Sequence, residues 1–186
     1  MGIPTLIKTL TASGDSSLSF VDGASSVVLD STYDEYMFVF TDIGPATNNV
    51  DFKFQVNATD DAGGGYDTSL ITSSHFHAYH NEAGSQTDLA YVTGSDLAQS
   101  SSFQILSAGI ANDADMSTSG VLHLFSPSST TYVKHFYARM SNCHINTYAY
   151  DEFTAGYIND TTAIDEIQFK MGSGNFDGVI QLFGIS

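Results

Sequence analysis

A histidine-rich stretch holds the residues whose types and spacing best suit metal chemistry. His75 and His77 are two positions apart. Side chains with that spacing on a β-strand project from the same face, so one transition-metal ion could contact both imidazoles. Glu82 is the nearest carboxylate along the chain. His75, His77 and Glu82 are therefore the candidate transition-metal ligands.

This stretch resembles part of the first cupin motif, in which a His-x-His pair is followed by a glutamate. Cupins are jelly rolls, so the resemblance implies a cupin-like metal-dependent enzyme as one alternative function. The glycine expected before the pair is missing, and no second motif with a third histidine follows. Because the spacing supplies no third ligand in the right place, we expect no tightly held transition metal and no enzymatic activity.

Acidic loops offer a second kind of ion site. Asp113 and Asp115 follow Asn112, and Asp60–Asp61 precede three glycines. Ca²⁺ prefers such clustered oxygen ligands on flexible loops, although neither segment continues as an EF-hand. We therefore expect no cofactor, with calcium as the one candidate ion.

Acidic residues also occur as adjacent pairs, for example at Asp151–Glu152. Neighbours on a strand point to opposite faces, so such a pair cannot form a catalytic dyad by itself. We expect these pairs on solvated edges and turns, while carboxylates from separate strands could still meet.

The elements that must position these residues are predicted to be β-strands, because apolar residues alternate with a period of two. Phe52, Phe54 and Val56 show the alternation most clearly. Turn signals separate predicted strands near 3–11, 16–21, 26–30, 34–42, 50–58, 70–80, 88–93, 103–108, 119–126, 132–141, 143–150, 164–171 and 177–185. Brief helical pieces are predicted only near 95–101 and 160–164. Eight residues are predicted to be mostly buried: Phe38, Phe40, Phe52, Phe54, Ile167, Phe169, Ile180 and Leu182.

The pattern predicts an all-β fold, an antiparallel β-sandwich of the jelly-roll kind. Residues 13–186 are expected to form a single sandwich domain, since 186 residues suit one domain. Residues 1–12 are expected to form an extended arm or the first edge strand, because Pro4 suits such a position. Four apolar residues of this segment are candidate partner-binding residues: Ile3, Leu6, Ile7 and Leu10.

Composition excludes several classes of partner. Five Lys and Arg stand against 21 Asp and Glu, for a formal net charge of -16. Such a polyanion repels nucleic acid and anionic membranes, and no segment is apolar enough for a membrane helix. The single cysteine, Cys143, excludes an internal disulfide and fits synthesis in a cytoplasm.

Two stretches, residues 30–56 and 163–185, resemble structural proteins of marine tailed bacteriophages, among them decoration, fibre and spike proteins. The more specific part is Ile167-Gln-Phe169, followed by a Ser-Gly-Asn turn and a Leu-Phe-Gly-Ile strand that ends at Ile185. The resemblance implies a β-sandwich on the virion exterior without catalysis, and it brings no catalytic residues.

These observations favour a capsid decoration (cement) protein, made in the host cytoplasm and located on the outer surface of the virion. The start at Met1 without a fibre shaft favours decoration over the alternative, a receptor-binding tail fibre or spike domain. Expected partners are the major capsid protein or other virion proteins, and further copies of the chain in a homo-oligomer, with a trimer as the candidate form. A carbohydrate-binding role would use exposed aromatics, for which the candidates are Tyr79, Tyr91, Tyr148 and Tyr150.

Overall fold

The computed structural model describes residues 2–60, 66 and 69–186, and in these residues the protein has twelve β-strands and no helix. Every strand pairing is antiparallel. The strands are β1 (Thr5–Asp15), β2 (Leu18–Val21), β3 (Glu35–Pro45), β4 (Val50–Ala58), β5 (Ile71–Asn81), β6 (Thr87–Tyr91), β7 (Gln104–Ile110), β8 (Thr118–Phe125), β9 (Lys134–His144), β10 (Tyr148–Ile158), β11 (Ile164–Met171) and β12 (Phe176–Ile185). The described residues contain no helix that could cross a membrane.

The strands form two facing layers of one continuous sheet. The large layer has the order β1-β12-β3-β8-β9-β10-β5-β6, and the small layer has the order β7-β4-β11-β2. The layers join where Ile110 of β7 pairs with His144 of β9, and the sheet almost closes on itself where β1 approaches β2. The predicted all-β, sandwich-like fold is confirmed.

Phenylalanine rings fill the space between the layers. Phe40 of the large layer lies 5.3 Å from Phe52 and 5.1 Å from Phe169 of the small layer, measured between ring centroids. Edge-to-face contacts of this kind stabilise a core beyond the apolar area that they bury. All eight residues predicted to be buried are at most 1% exposed. The period-two interpretation of these strands is therefore confirmed.

Two of the predicted strands are wrong, and local backbone geometry explains both. Residues 26–30 form no strand, because Ser25 and Ser26 have φ values of 51° and 68°, which interrupt an extended chain. The predicted strand at 143–150 spans a turn, because the Thr147 N–H donates to the His144 carbonyl and Thr147 has φ of 59°. The strand after that turn, β10, continues to Ile158. The predicted helical pieces at 95–101 and 160–164 are also wrong: Ser100 forms a β-bridge with Ile71, Ile164 begins β11, and the other residues form turns, bends and irregular chain.

Residues 5–12 belong to the edge strand β1, which continues to Asp15. β1 pairs with β12 along its length and lies at one end of the large layer. Ile3 and Leu6 are 89% and 51% exposed, whereas Ile7 and Leu10 pack against the core. Only Ile3 and Leu6 of the four candidate residues therefore offer most of their apolar surface to a partner.

Gly184, in the chain's Leu-Phe-Gly-Ile ending, is required by close packing. A Cβ added there would lie 2.3–2.5 Å from three atoms of the Tyr33 ring. We expect Gly184→Ala to lower the free energy of unfolding by about 1–3 kcal/mol, because the ring must move to relieve the clash. Urea denaturation checks this. Gly94→Ala is the control, since a Cβ there meets nothing within 4 Å, and an equal loss in both variants would contradict the explanation.

Candidate functional site

Two neighbouring strands bring polar side chains into the space between the layers. β5 and β10 pair in register over eleven residues, so residues directly opposite each other share a face. His77 lies opposite Glu152, and His75 lies opposite Thr154. His75 and Glu152 are fully buried, and His77 is half-buried. The strand pairing therefore gathers two imidazoles and a carboxylate at one place.

The potential ligand atoms of these three residues lie close together. One atom each from His75, His77 and Glu152 falls within 4.8 Å of the other two. The His75 Nε2 atom is 3.8 Å from the Glu152 Oε1 atom, which is too long for a hydrogen bond. The His75 Nε2 atom is buried and has no hydrogen-bond partner among the residues that the structure describes. We call these three residues the His–Glu cluster.

Surrounding groups hold the cluster in position. The Ser107 hydroxyl donates to Glu152 Oε2 at 2.6 Å, and the Ala108 N–H donates to Oε1 at 2.9 Å. Thr118 donates in turn to Ser107 at 3.0 Å. These contacts join β10 of the large layer to β7 of the small layer. The Glu152 side chain is thus fixed across the interior of the fold.

A threonine fixes the other side of the cluster. His75 Nδ1 lies 2.9 Å from the Thr154 hydroxyl oxygen, and that hydroxyl lies 3.5 Å from the Ile105 carbonyl. When the Thr154 hydroxyl donates to the carbonyl, its oxygen accepts the N–H of His75 Nδ1. This arrangement leaves the lone pair on His75 Nε2, directed away from Thr154.

Burial favours the neutral forms of the cluster. It raises the pKa of Glu152 to about 7, although the donors from Ser107 and Ala108 oppose the shift. It lowers the pKa of His75 to about 4, and the pKa of His77 is also lowered by burial. An ionised Glu152 carboxylate therefore destabilises the folded protein at this buried position unless a cation lies beside it.

Aromatic rings cover the half-buried side of the cluster. The His77 and Tyr150 ring centroids are 4.5 Å apart, and the Tyr150 and His144 centroids are 4.4 Å apart. Tyr79 stacks on Tyr148 at 4.8 Å. Tyr79, Tyr148 and Tyr150, three of the four tyrosines considered for carbohydrate binding, therefore pack against one another. They lie on β5 and β10 and are half-buried.

Tyr91 is separate from the other three tyrosines. It is 56% exposed, and it pairs with Phe76, whose side chain points away from the interior. The four tyrosines thus do not form one platform.

The sequence-predicted ligand Glu82 does not join His75 and His77. It follows β5 in a turn, where its N–H donates to the Thr147 carbonyl. It lines a surface pocket of about 490 Å³ together with His80 and Cys143. The third residue of the cluster is Glu152, which sequence reasoning assigned to solvated edges and turns. That expectation was wrong because the predicted strand 143–150 ended before Glu152, whereas β10 continues to Ile158.

The acidic loop at Asp113 and Asp115 lies at another pocket. These two residues line a space of about 480 Å³ together with Asp42 and Asp177. Among the described residues, the only group of three side chains with metal-ligand spacing is the His–Glu cluster. Asp60 is exposed in its loop, and Asp61 lies outside the described residues.

The opposite side of the large layer carries apolar side chains. Leu6 pairs with Phe183, which pairs with Met37, and the same row continues to His123 and Tyr137. A second row runs through Phe153, Phe76 and Tyr91, with the rings of Phe76 and Phe153 stacked at 4.9 Å. We call this surface the outer apolar face, and it comprises Leu6, Met37, Phe76, Leu89, Tyr91, Tyr137, Phe153 and Phe183. His123 lies in the first row and contacts Glu35.

No protein-family model matches the chain, and no curated protein is significantly similar to it in sequence.

Proposed function

We propose that the protein is a non-enzymatic structural component of the exterior of a tailed-phage virion, a capsid decoration protein. The observation that carries the proposal is the outer apolar face. Leu89, Tyr91 and Leu6 on this face are 70%, 56% and 51% exposed, and Phe76 and Tyr137 are 41% and 44% exposed. Several exposed large apolar side chains on one face of a sheet are typical of a protein interface. The expected occupant is a subunit of the capsid shell.

Charge supports an outward location. With 21 acidic and five basic residues, the chain would be repelled by packaged DNA. On the outside of a shell, dissolved salt screens this charge within about 8 Å. Arg139, one of the five basic residues, lies on the outer side of β9 and donates two hydrogen bonds to Asp151. Its charge is therefore already paired within the protein.

The free edge of the large layer supports a homo-oligomer, with a trimer as the candidate form. Among the strands that the structure describes, β6 pairs only with β5, so its other backbone edge is open to a further strand. Asp88 is the one charged residue of β6. Edge strands without several charged side chains are prone to pair, so another copy of the chain is the expected cover.

The proposal can be tested with undecorated capsids of a phage that encodes the protein. We expect purified protein to saturate them, and the double variant Phe76→Ser/Tyr137→Ser to bind much more weakly. Each aromatic lost from the centre of an interface costs about 2 kcal/mol or more, which is about thirtyfold in affinity. Binding is measured by co-sedimentation over a range of protein concentrations.

Tyr132→Ser is the matched control, because Tyr132 is 73% exposed and lies in the loop before β9, outside the outer apolar face. It should bind capsids as the wild type does. If the double variant also bound normally, the outer apolar face would not be the docking surface. If the wild type bound host cells and not capsids, the receptor-binding alternative would replace decoration.

A further inference from the structure

We propose that the His–Glu cluster binds one divalent transition-metal ion of the zinc type, through His75 Nε2, a His77 ring nitrogen and Glu152. This goes beyond the proposed function, because virion attachment does not require an ion. It also departs from the expectation of no tightly held transition metal, because β10 supplies the third ligand that the spacing of His75 and His77 lacks. The donor set is the one that Zn²⁺ accepts in proteins, two imidazoles and a carboxylate.

The separations fit such an ion. Ligand bonds of 2.0–2.2 Å around a tetrahedral zinc place neighbouring ligand atoms about 3.3–3.6 Å apart. His75 Nε2 and Glu152 Oε1 are 3.8 Å apart, and all three ligand atoms lie within 4.8 Å of one another. Closing these distances needs side-chain shifts of a few tenths of an ångström to about 1 Å.

The unpartnered nitrogen is the second argument. Buried polar atoms nearly always have a hydrogen-bond partner, yet in the described part of the chain His75 Nε2 has none. Its other ring nitrogen contacts Thr154, so its lone pair is available on the side of Glu152. A metal-binding histidine characteristically has its second nitrogen held in this way by an outer-shell group.

Charge is the third argument. Glu152 is 0% exposed, and its only ion-pair partner among the described residues is His75. A divalent ion would compensate the buried carboxylate. Ser107 and Ala108 already orient that carboxylate from β7, so the ion would link the two layers. We infer a structural ion that stabilises the sandwich.

The test uses the full chain, stripped with EDTA, reloaded with excess ZnCl₂ and passed over a desalting column. We expect about one equivalent of zinc by mass spectrometry, and a higher melting temperature for the loaded protein. Loss of an outer-shell partner alone weakens metal binding by about 10–100-fold, so His77→Ala should weaken it by about 100-fold or more. Glu152→Gln should do the same while keeping the size of the side chain.

The matched control is His80→Ala, because His80 is an exposed histidine of the same strand and is not part of the cluster. It should retain the zinc and the rise in melting temperature. His77 is half-buried, and Glu152→Gln provides a second variant should His77→Ala fail to fold. Two results would overturn the proposal: wild-type protein that retains no zinc and gains no stability, or His77→Ala and Glu152→Gln variants that still hold a full equivalent.

Discussion

Phe169→Ala should lower the free energy of unfolding by about 3–5 kcal/mol, the cost of removing a large aromatic ring from a close-packed core. Phe169 of β11 is fully buried at the centre of the space between the layers. Its ring lies within 6.4 Å, between centroids, of five other phenylalanine rings: Phe20, Phe38, Phe40, Phe52 and Phe54. These five rings come from three strands, β2, β3 and β4, which belong to both layers, so the cavity cannot be closed by the movement of one neighbour. Urea denaturation followed by circular dichroism measures the loss.

The control for this substitution is Phe76→Ala. Phe76 is 41% exposed and stacks on a single ring, that of Phe153. Its loss should cost about 1–2 kcal/mol. Equal costs for the two variants, or a cost below about 1 kcal/mol for Phe169→Ala, would contradict the central position given to Phe169.

Glu152→Gln should change how the stability of the metal-free protein depends on pH. The pKa of Glu152 is raised to about 7 in the folded protein, mainly by burial, above the ordinary value near 4.3. The folded state therefore binds a proton that the unfolded state releases between about pH 4.5 and pH 7. Stability contributed by protonated Glu152 is present below this window and is lost as pH rises through it.

A shift of this size corresponds to about 3–4 kcal/mol. Relative to wild type, the free energy of unfolding of Glu152→Gln should accordingly rise by about 3–4 kcal/mol between about pH 4 and about pH 8, in EDTA. His75 acts in the opposite direction, because its lowered pKa makes stability rise with pH between about 4 and 6.5. Since His75 is present in both proteins, its effect largely cancels in the difference. A difference between the two proteins that does not vary with pH would show that Glu152 titrates normally.

The strands of the core could be predicted from sequence because burial imposes a simple pattern on them. Phe52, Phe54 and Val56 alternate with polar residues on β4, and all three are fully buried. The pattern does not specify which strands become neighbours. β3 lies between β12 and β8, a choice made by packing among residues far apart in the chain.

Only the two histidines of the His–Glu cluster could be predicted from the sequence. His75 and His77 are two residues apart on one strand, so local spacing identifies them. His75 and Thr154 are 79 positions apart, and Glu152 reaches the cluster through the same pairing of β5 with β10. One face of β10 carries, at alternate positions, Tyr148, Tyr150, Glu152 and Thr154. Such alternation indicates a strand with one inward face. A glutamate is rarely buried, however, so its presence at this position favours a turn or an exposed edge when only the sequence is known.

The outer apolar face was also only partly predictable. Leu6 was identified because it lies in an apolar amino-terminal segment, and the structure places it in one row with Phe183 and Tyr137. Isolated aromatic residues on alternate strand positions do not reveal which of them will form a continuous surface. That depends on the register of eight strands at once.

The most direct test of the proposed function is a cryo-electron-microscopy reconstruction of virions from a phage that encodes the protein. We predict density for the twelve-stranded sandwich on the outside of the capsid, with the outer apolar face turned toward the shell subunits. Virions in which this density lies at the tip of a tail fibre, or inside the shell, would contradict the proposal.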